Sequence, residues 1–345
     1  MMERPEWAAG SEERFSDFMR DLTGAERIAL VSHTDHDGIA AAKVAQDAVS
    51  AQEIFFIDYS DMDEHFIEKL RENRVTHVVM LDLMVKDSGF LERLGEFAKV
   101  LLIDHHTPEH DFNSARVVYM NAEGMCATYL AYYLFSKIKN LEARDWLVAC
   151  ACIADWCYLK NQGWMAHTIE KYGERFVPTP EGVKKTGKFW DVQAAISLAL
   201  VYFDSNLRRV FDSIGMSFGE IGDLGNYAGE VQEEIDACIA RYEGEKQAID
   251  GGFFWEFTSR FQVKSIVTTT ISAERPDTTI IIGKLDGERY YFSARRQDKK
   301  ISMNDLLKKL IMGFTESNAG GHAAAAGGHI RLADVSEFKR RLGVR

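Results

Sequence analysis

Short apolar runs recur along the first part of the chain, and each stops at a polar cluster. Ile28 to Val31, Ile54 to Ile57, His77 to Leu81 and Val100 to Ile103 read as buried strands. Between them, helical spacing predicts Glu12 to Leu22, with Phe15, Phe18, Met19 and Leu22 on one face, then an alanine-rich Ile39 to Val49, Glu64 to Glu72 and Phe90 to Phe97. Strands alternating with helices call for a parallel sheet with right-handed crossovers. Val117 to Tyr119 extends the pattern, and Cys126 to Ile138 and Glu142 to Ile153 predict two further helices. The second runs without charge from Trp146 to Ala154 and then meets Asp155. From Asn161 to Asp250 the spacing stays helical, chiefly Phe189 to Tyr202 and Tyr227 to Ile249, with a turn at Pro178 and Pro180.

Gly251-Gly252 marks a change of pattern. Phe253 to Phe257, Lys264 to Thr270, Thr278 to Gly283 and Glu288 to Ala294 are β-branched and aromatic and predict strands. A helix from Met303 to Ile311, a strand from His329 to Leu332 and a helix from Val335 to Leu342 complete a small α+β module. The expected class is α/β: a parallel-sheet domain over 1–185, a helical connector over 186–250 and an α+β domain over 251–345.

The length of 345 residues suits two domains on a prior of about 150 residues each. A net charge of −12 argues against a surface coated for duplex nucleic acid. That charge is uneven, with −18 over residues 1–255 and +6 over 256–345. An acidic first part suits carboxylate metal ligands, and a basic last part suits anion binding. No apolar window approaches a membrane span. Met1 to Glu13 is acidic and lacks the apolar core of a secretory signal. Five cysteines without a CxxC predict reduced, buried thiols in a cytoplasmic protein.

The polar clusters carry the chemistry. His33, Asp35 and Asp37 follow the first strand, Asp82 the third, and Asp104-His105-His106 the fourth. In a parallel sheet the carboxyl ends share one edge, so residues far apart in sequence can converge there. An extended loop would point His33, Asp35 and Asp37 the same way, and Gly38 would allow a tight turn into the next helix. Asp155 is costly to bury at the end of so apolar a run unless paired or metal-bound. Four carboxylates in one crevice need a cation, and mixed Asp/His ligation suits two Mn²⁺ (or Mg²⁺) ions.

The set His33-x-Asp35-x-Asp37-Gly38, Asp82, Asp104-His105-His106 and Asp155 resembles the four motifs of the DHH phosphoesterase superfamily. Tyr291-Phe292-Ser293-Ala294-Arg295 and Gly320-Gly321-His322 resemble its associated DHHA1 domain, with Ala319 where a third glycine is common. The resemblance implies that His33, Asp35 and Asp82 hold one ion. Asp37, Asp82, His105 and Asp155 would hold the other, with Asp82 as the bridge. His106 would act on the scissile phosphate as electrophile or acid, and Asp104 would orient the histidines. Arg295 and His322 would grip a substrate phosphate, with Gly320 and Gly321 letting backbone N–H groups approach it.

The resemblance extends to RecJ-like exonucleases on single-stranded DNA or RNA, above all the short archaeal, helicase-associated type. Lys299, Lys300, Lys308, Lys309, Lys339, Arg340 and Arg341 could track a nucleic-acid backbone. The acidity of the first part fits instead a small anion: a short oligoribonucleotide, a cyclic dinucleotide or 3′-phosphoadenosine phosphate. A metal-free relative acting as a replisome scaffold would have lost ligands, and all six stand here. Tyr227 to Ile249 is a candidate surface for a repair or replisome partner, or for a second copy of the chain.

Overall fold

The computed structural model describes residues 2–108, 110–179, 182–183 and 186–344, so Pro180 lies outside the described residues. The chain divides into two units, Met1–Ala228 and Gly229–Arg345.

The first unit opens with α1 (Glu12–Leu22), capped by Ser11, whose side chain accepts from Arg14 N, with Phe15, Phe18 and Leu22 buried. There follow β1 (Ile28–Ser32), α2 (His36–Ala48), β2 (Glu53–Phe56), α3 (Glu64–Glu72), β3 (His77–Leu81), α4 (Ser88–Gly95), β4 (Lys99–Asp104) and β5 (Val117–Asn121). Every residue of β1 and β3 is buried, as strands covered on both faces require. The strands are parallel in the order β2-β1-β3-β4-β5. The order reverses at β1, so a crevice opens between the carboxyl ends of β1 and β3.

The remaining helices of this unit are α5 (Ala127–Phe135), α6 (Asp145–Ala154), α7 (Gln162–Lys171), α8 (Lys188–Tyr202) and α9 (Leu207–Ser213), with a short hairpin, β6 (Pro178–Thr179) and β7 (Gly182–Val183), before α8. Helix α2 is buried from His36 to Ala45, and its alanines let α5, α6 and α8 pack closely around it.

Helix α10 (Leu224–Glu245) leads into the second unit. That unit contains β8 (Gln247–Ile249), β9 (Gly252–Glu256), α11 (Lys264–Glu274), β10 (Thr279–Asp286), β11 (Arg289–Arg295), α12 (Met303–Leu310), β12 (Asn318–Gly321), β13 (Ala325–Arg331) and α13 (Val335–Leu342). Its sheet has the order β12-β13-β11-β10-β9-β8 and is mixed, with β9 and β10 parallel.

Two sequence expectations fail here. Lys264 to Thr270 is helix, not strand. Its hydroxyls donate back along the helix, Thr268 Oγ1 to Lys264 O at 2.6 Å and Thr270 Oγ1 to Ile266 O at 3.0 Å, so the backbone stays helical. Val267, Thr268, Ile271 and Ser272 are buried, which is a helical spacing. The glycine-rich stretch Asn318 to Gly328, ahead of the strand expected from His329, is itself paired. It forms β12 and most of β13, and β13 starts at Ala325 rather than His329.

Candidate metal centre

Helix α2 begins earlier than its alanines indicate, at His36, with Asp35 as N-cap accepting from Gly38 N at 3.0 Å. His33, Asp35 and Asp37 therefore do not share an extended loop. Asp37 stands in the first helical turn, buried, because a capped helix starts at once after the aspartate. Gly38 is helical rather than a turn residue, and glycine is required because a Cβ there would lie 2.4 Å from His33 O.

The carboxyl ends nonetheless meet. His33 Nδ1 lies 3.0 Å from Asp35 Oδ2 and 3.7 Å from Asp82 Oδ2. His105 Nε2 lies 3.3 Å from Asp82 Oδ1, 3.5 Å from Asp155 Oδ2 and 3.9 Å from Asp37 Oδ2. Potential ligand atoms fall within 4.8 Å of one another in three sets: His33, Asp35 and Asp82; Asp82, His105 and His106; His105, Asp155 and Cys157. Asp82 belongs to the first two. Its backbone is left-handed, with φ 59°, a conformation that aspartate tolerates better than most residues.

Asp37 is set further back. Its Oδ2 accepts from Ala127 N at 2.7 Å and its Oδ1 from Thr128 N at 2.9 Å. The carboxylate thus caps α5, where Cys126 provides no side-chain cap. It meets His105 from this anchored position.

The electrostatics are those of crowded acids. Burial, then the neighbouring Asp37 carboxylate, pushes the Asp82 carboxyl up to about 8. The same two causes raise Asp155 to about 6. Burial lowers His33, but Asp35 and Asp82 outweigh it and hold the imidazole up at about 10. Asp82 Oδ2, Asp155 Oδ2 and His33 Nδ1 are buried without a hydrogen-bond partner. Orphaned oxygens and an orphaned imidazole nitrogen fit divalent cations, one beside His33 and one beside Asp155, which between them would satisfy these atoms. The residues able to hold one are His33, Asp35 and Asp82 on one side, and Asp82, His105, Asp155 and Asp37 on the other.

His106 is oriented differently. Its Nδ1 lies 2.7 Å from Asp104 Oδ1, and this bond raises its pKa. Asp104 is almost wholly buried, so His106 is held with Nε2 outward. Asn121 Nδ2 donates to His106 O at 2.9 Å.

Sequence reasoning missed three neighbours. Tyr59 stacks on His33 at 4.7 Å, and its hydroxyl lies 3.5 Å from His106 Nε2. Asp58 Oδ1 lies 3.9 Å from His33 Nε2. Both follow β2, so the rule that located the other clusters at strand ends applies to them as well. Cys157 Sγ lies 3.8 Å from His105 Nδ1. It follows Trp156, which is half-exposed at φ 58° and ends α6.

In the second unit, Arg295 donates to Ala294 O at 3.0 Å and, among the described residues, pairs with no carboxylate. Burial, then Lys284 and Arg295, lowers Lys264 to about 8, so three cations gather there. Gly320 and His322 are exposed. Gly321 has φ 137° and its Cβ would lie 2.4 Å from Ala325 O, whereas a Cβ on Gly320 would meet open space. The basic run near the C-terminus is largely self-neutralised: Lys339 pairs with Glu256 at 2.7 Å, and Arg340 and Arg341 pair with Glu337 at 2.6 and 2.9 Å.

No curated protein sequence matches the chain. Among solved structures, RecJ in complex with Mn²⁺ from Thermus thermophilus matches with TM-score 0.71 at 17% identity, over 96% of this chain and 53% of that one. The chain thus spans about half the length of that protein. An exonuclease RecJ bound to manganese matches with TM-score 0.67 at 15% identity, covering 96% of this chain and 92% of that one. CDC45 from Entamoeba histolytica matches with TM-score 0.65 at 11% identity, covering 96% and 98%. At these identities the likeness is one of fold. The model of the DHH family, N-terminal domain, matches residues 27–159, and that of the DHHA1 domain matches residues 256–343. With the two models matched in this order over 27–159 and 256–343, the chain belongs to the DHH family, with an N-terminal DHH domain followed by a DHHA1 domain.

Proposed function

We propose that the protein is a metal-dependent phosphodiesterase, acting as a RecJ-like exonuclease that hydrolyses single-stranded DNA or RNA to mononucleotides. The observation that carries this reading is the set of buried, partnerless atoms on Asp82, Asp155 and His33 at the switch point of the sheet. Two Mn²⁺ or Mg²⁺ ions bound there would neutralise the phosphodiester oxygens and activate water. His33, Asp35, Asp37, Asp82, His105 and Asp155 would hold those ions in place. His106, fixed by Asp104, would present Nε2 to the phosphate and supply a proton to the leaving oxygen. The rings of Tyr59 and Trp156 support a substrate with bases to stack. Arg295, His322 and the backbone at Gly320 and Gly321 would take a substrate phosphate.

A second reading keeps the chemistry and shortens the substrate to a di- or trinucleotide, a cyclic dinucleotide or 3′-phosphoadenosine phosphate. It is favoured by the −18 charge of residues 1–255 and by the pairing of Lys339, Arg340 and Arg341 with acids of the same unit.

The test is hydrolysis of end-labelled oligonucleotides, from dinucleotides to long strands, with Mn²⁺ or Mg²⁺. Asp35→Asn serves as control, since asparagine keeps the helix cap and removes the charge. Mononucleotide release from long strands, dependent on metal and lost in Asp35→Asn, is expected. Cleavage confined to dinucleotides and trinucleotides would replace the first reading with the second, and no metal-dependent cleavage would end both.

A further inference from the structure

Helix α6 ends in a turn that normally calls for glycine. Trp156 N donates to Ile153 O at 3.3 Å and Cys157 N donates to Cys152 O at 3.0 Å, a Schellman closure with Trp156 in the left-handed position. Tryptophan pays a steric penalty there that glycine would not. The consequence is placement: the turn brings Asp155 and Cys157, on either side of Trp156, against the same imidazole. Cys157 Sγ lies 3.8 Å from His105 Nδ1, and Asp155 Oδ2 lies 3.5 Å from His105 Nε2. One ligand atom from each of the three residues lies within 4.8 Å of the other two. Asp155 Oδ2 is buried and unpartnered. Beyond the imidazole, Asp82, whose side chain is 2% exposed, sets Oδ1 at 3.3 Å from His105 Nε2 and turns its unpartnered Oδ2 toward His33 instead.

We propose that Cys157, Asp155 and His105 form a binding site for thiophilic divalent cations such as Zn²⁺, Co²⁺ or Cd²⁺. It borrows two ligands from the carboxylate-rich centre, so an ion taken there withdraws them from the ion that hydrolysis needs. A thiolate, an imidazole and a carboxylate are a common three-residue set for tetrahedral Zn²⁺ with one open position. Such an ion leaves a thiolate and an imidazole nitrogen ~3.5 Å apart, close to the separation found here. Magnesium and manganese prefer oxygen and gain little from sulfur. Binding through Sγ releases the thiol proton to solvent. Ligation at Nδ1 leaves the imidazole proton on Nε2, the atom that also faces Asp82 and Asp37. His105 then donates toward those acids and no longer offers them a shared cation. The loss of hydrolysis rests on the metal-dependent reading above, whereas the binding does not.

The experiment is titration of the metal-free, full-length protein with Co²⁺, followed by near-ultraviolet sulfur-to-cobalt charge transfer. The expected result is a band that saturates at one equivalent, disappears in Cys157→Ser and persists in Cys238→Ser. No band, or a band that survives in Cys157→Ser, overturns the proposal. A measurement on the wild type alone covers the case in which the variant fails to fold. Cys157 is the one cysteine among the described residues that is not buried. Alkylation mapped by mass spectrometry should therefore modify it in metal-free and Mg²⁺-loaded protein, with Zn²⁺ slowing the reaction about 10-fold or more, the scale of a lost metal contact. Equal protection by Mg²⁺ and Zn²⁺, or none by either, also overturns it. In the activity arm, Zn²⁺ should inhibit Mn²⁺-dependent hydrolysis, with the half-inhibiting concentration rising about 10-fold in Cys157→Ser. If no form hydrolyses any phosphodiester while the cobalt band appears as expected, the functional reading falls and the binding site stands.

Discussion

The carboxyl edge of the first unit and the β12–β13 hairpin of the second meet polar chemistry by opposite means. The first gathers acids and imidazoles where water is scarce: Asp37, Asp82 and Asp104 are all 2% exposed or less. The second offers an exposed Gly320 and His322, and an Arg295 with no carboxylate partner among the described residues. Buried like charges raise one another's proton affinity and wait for a cation. Bare backbone beside cations waits for an anion. A single unit could not easily do both, because acids crowded enough to bind a metal would neutralise the cations meant for a phosphate.

The sharpest way to break this contrast is Asp82→Asn. Asparagine tolerates the left-handed backbone at this position and keeps the size of the side chain. If Asp82 bridges two ions, turnover with Mn²⁺ should fall by at least about 10²–10³-fold, the scale of losing one charge-stabilising group. The metal-free variant should be as thermally stable as the wild type or more so, because one of the crowded acids is gone. A variant that keeps its activity, or that melts well below the wild type without metal, would show Asp82 to be a structural residue.

How much of this was legible beforehand differs between the two units for physical reasons. Strand ends in a parallel sheet share an edge by topology, so His33, Asp82 and His105 could be brought together from sequence order alone. The start of α2 at His36 was hidden because Asp35 serves at once as a cap and as a candidate ligand. The capping of α5 by Asp37 joins residues about ninety positions apart and leaves no local pattern. In the second unit, the β-branched Lys264 to Thr270 carries strand propensity that back-bonding hydroxyls and packing override. Nor does a glycine-rich run announce pairing, since glycine suits turns and close-packed strands alike, and here a Cβ on Gly328 would lie 2.1 Å from Asn318 O.

A smaller effect tests the first unit without mutation. His33 is held at about 10, above its unfolded value near 6.5. Its stabilising contribution is complete below pH ~6.5 and is lost as pH rises through about 10. Asp82, raised to about 8, keeps a proton in the fold that the unfolded chain has already released, so it too removes stability as pH rises. The melting temperature of metal-free protein should therefore fall between pH 6.5 and 10. Added Mg²⁺ should raise it by an increment that grows with pH, because protons compete less for the same ligands. Thermal scans with and without chelator measure both, and a metal-free melting temperature that is flat or rises with pH would contradict the crowding described here.

The smallest effect sharpens the other side of the comparison, through two adjacent glycines. Gly321 sits at φ 137° against Ala325 O and Ala326 Cα, so the fold itself requires it. Gly320→Ala places a methyl in open space and should leave the melting temperature within the range of ordinary surface changes, about ±0.5 kcal/mol in stability. Gly321→Ala should cost clearly more, since a left-handed or crowded position strains any side chain. If glycine at 320 exists for the approach of a phosphate, Gly320→Ala should raise KM for an oligonucleotide several-fold while leaving the melting temperature and the metal dependence unchanged. Steady-state kinetics on wild type and both variants, alongside thermal scans, separate the two roles. A Gly320→Ala protein with unchanged KM would confine the anion contact to Arg295 and His322, and the exposed backbone of the hairpin would then be a feature of the fold alone.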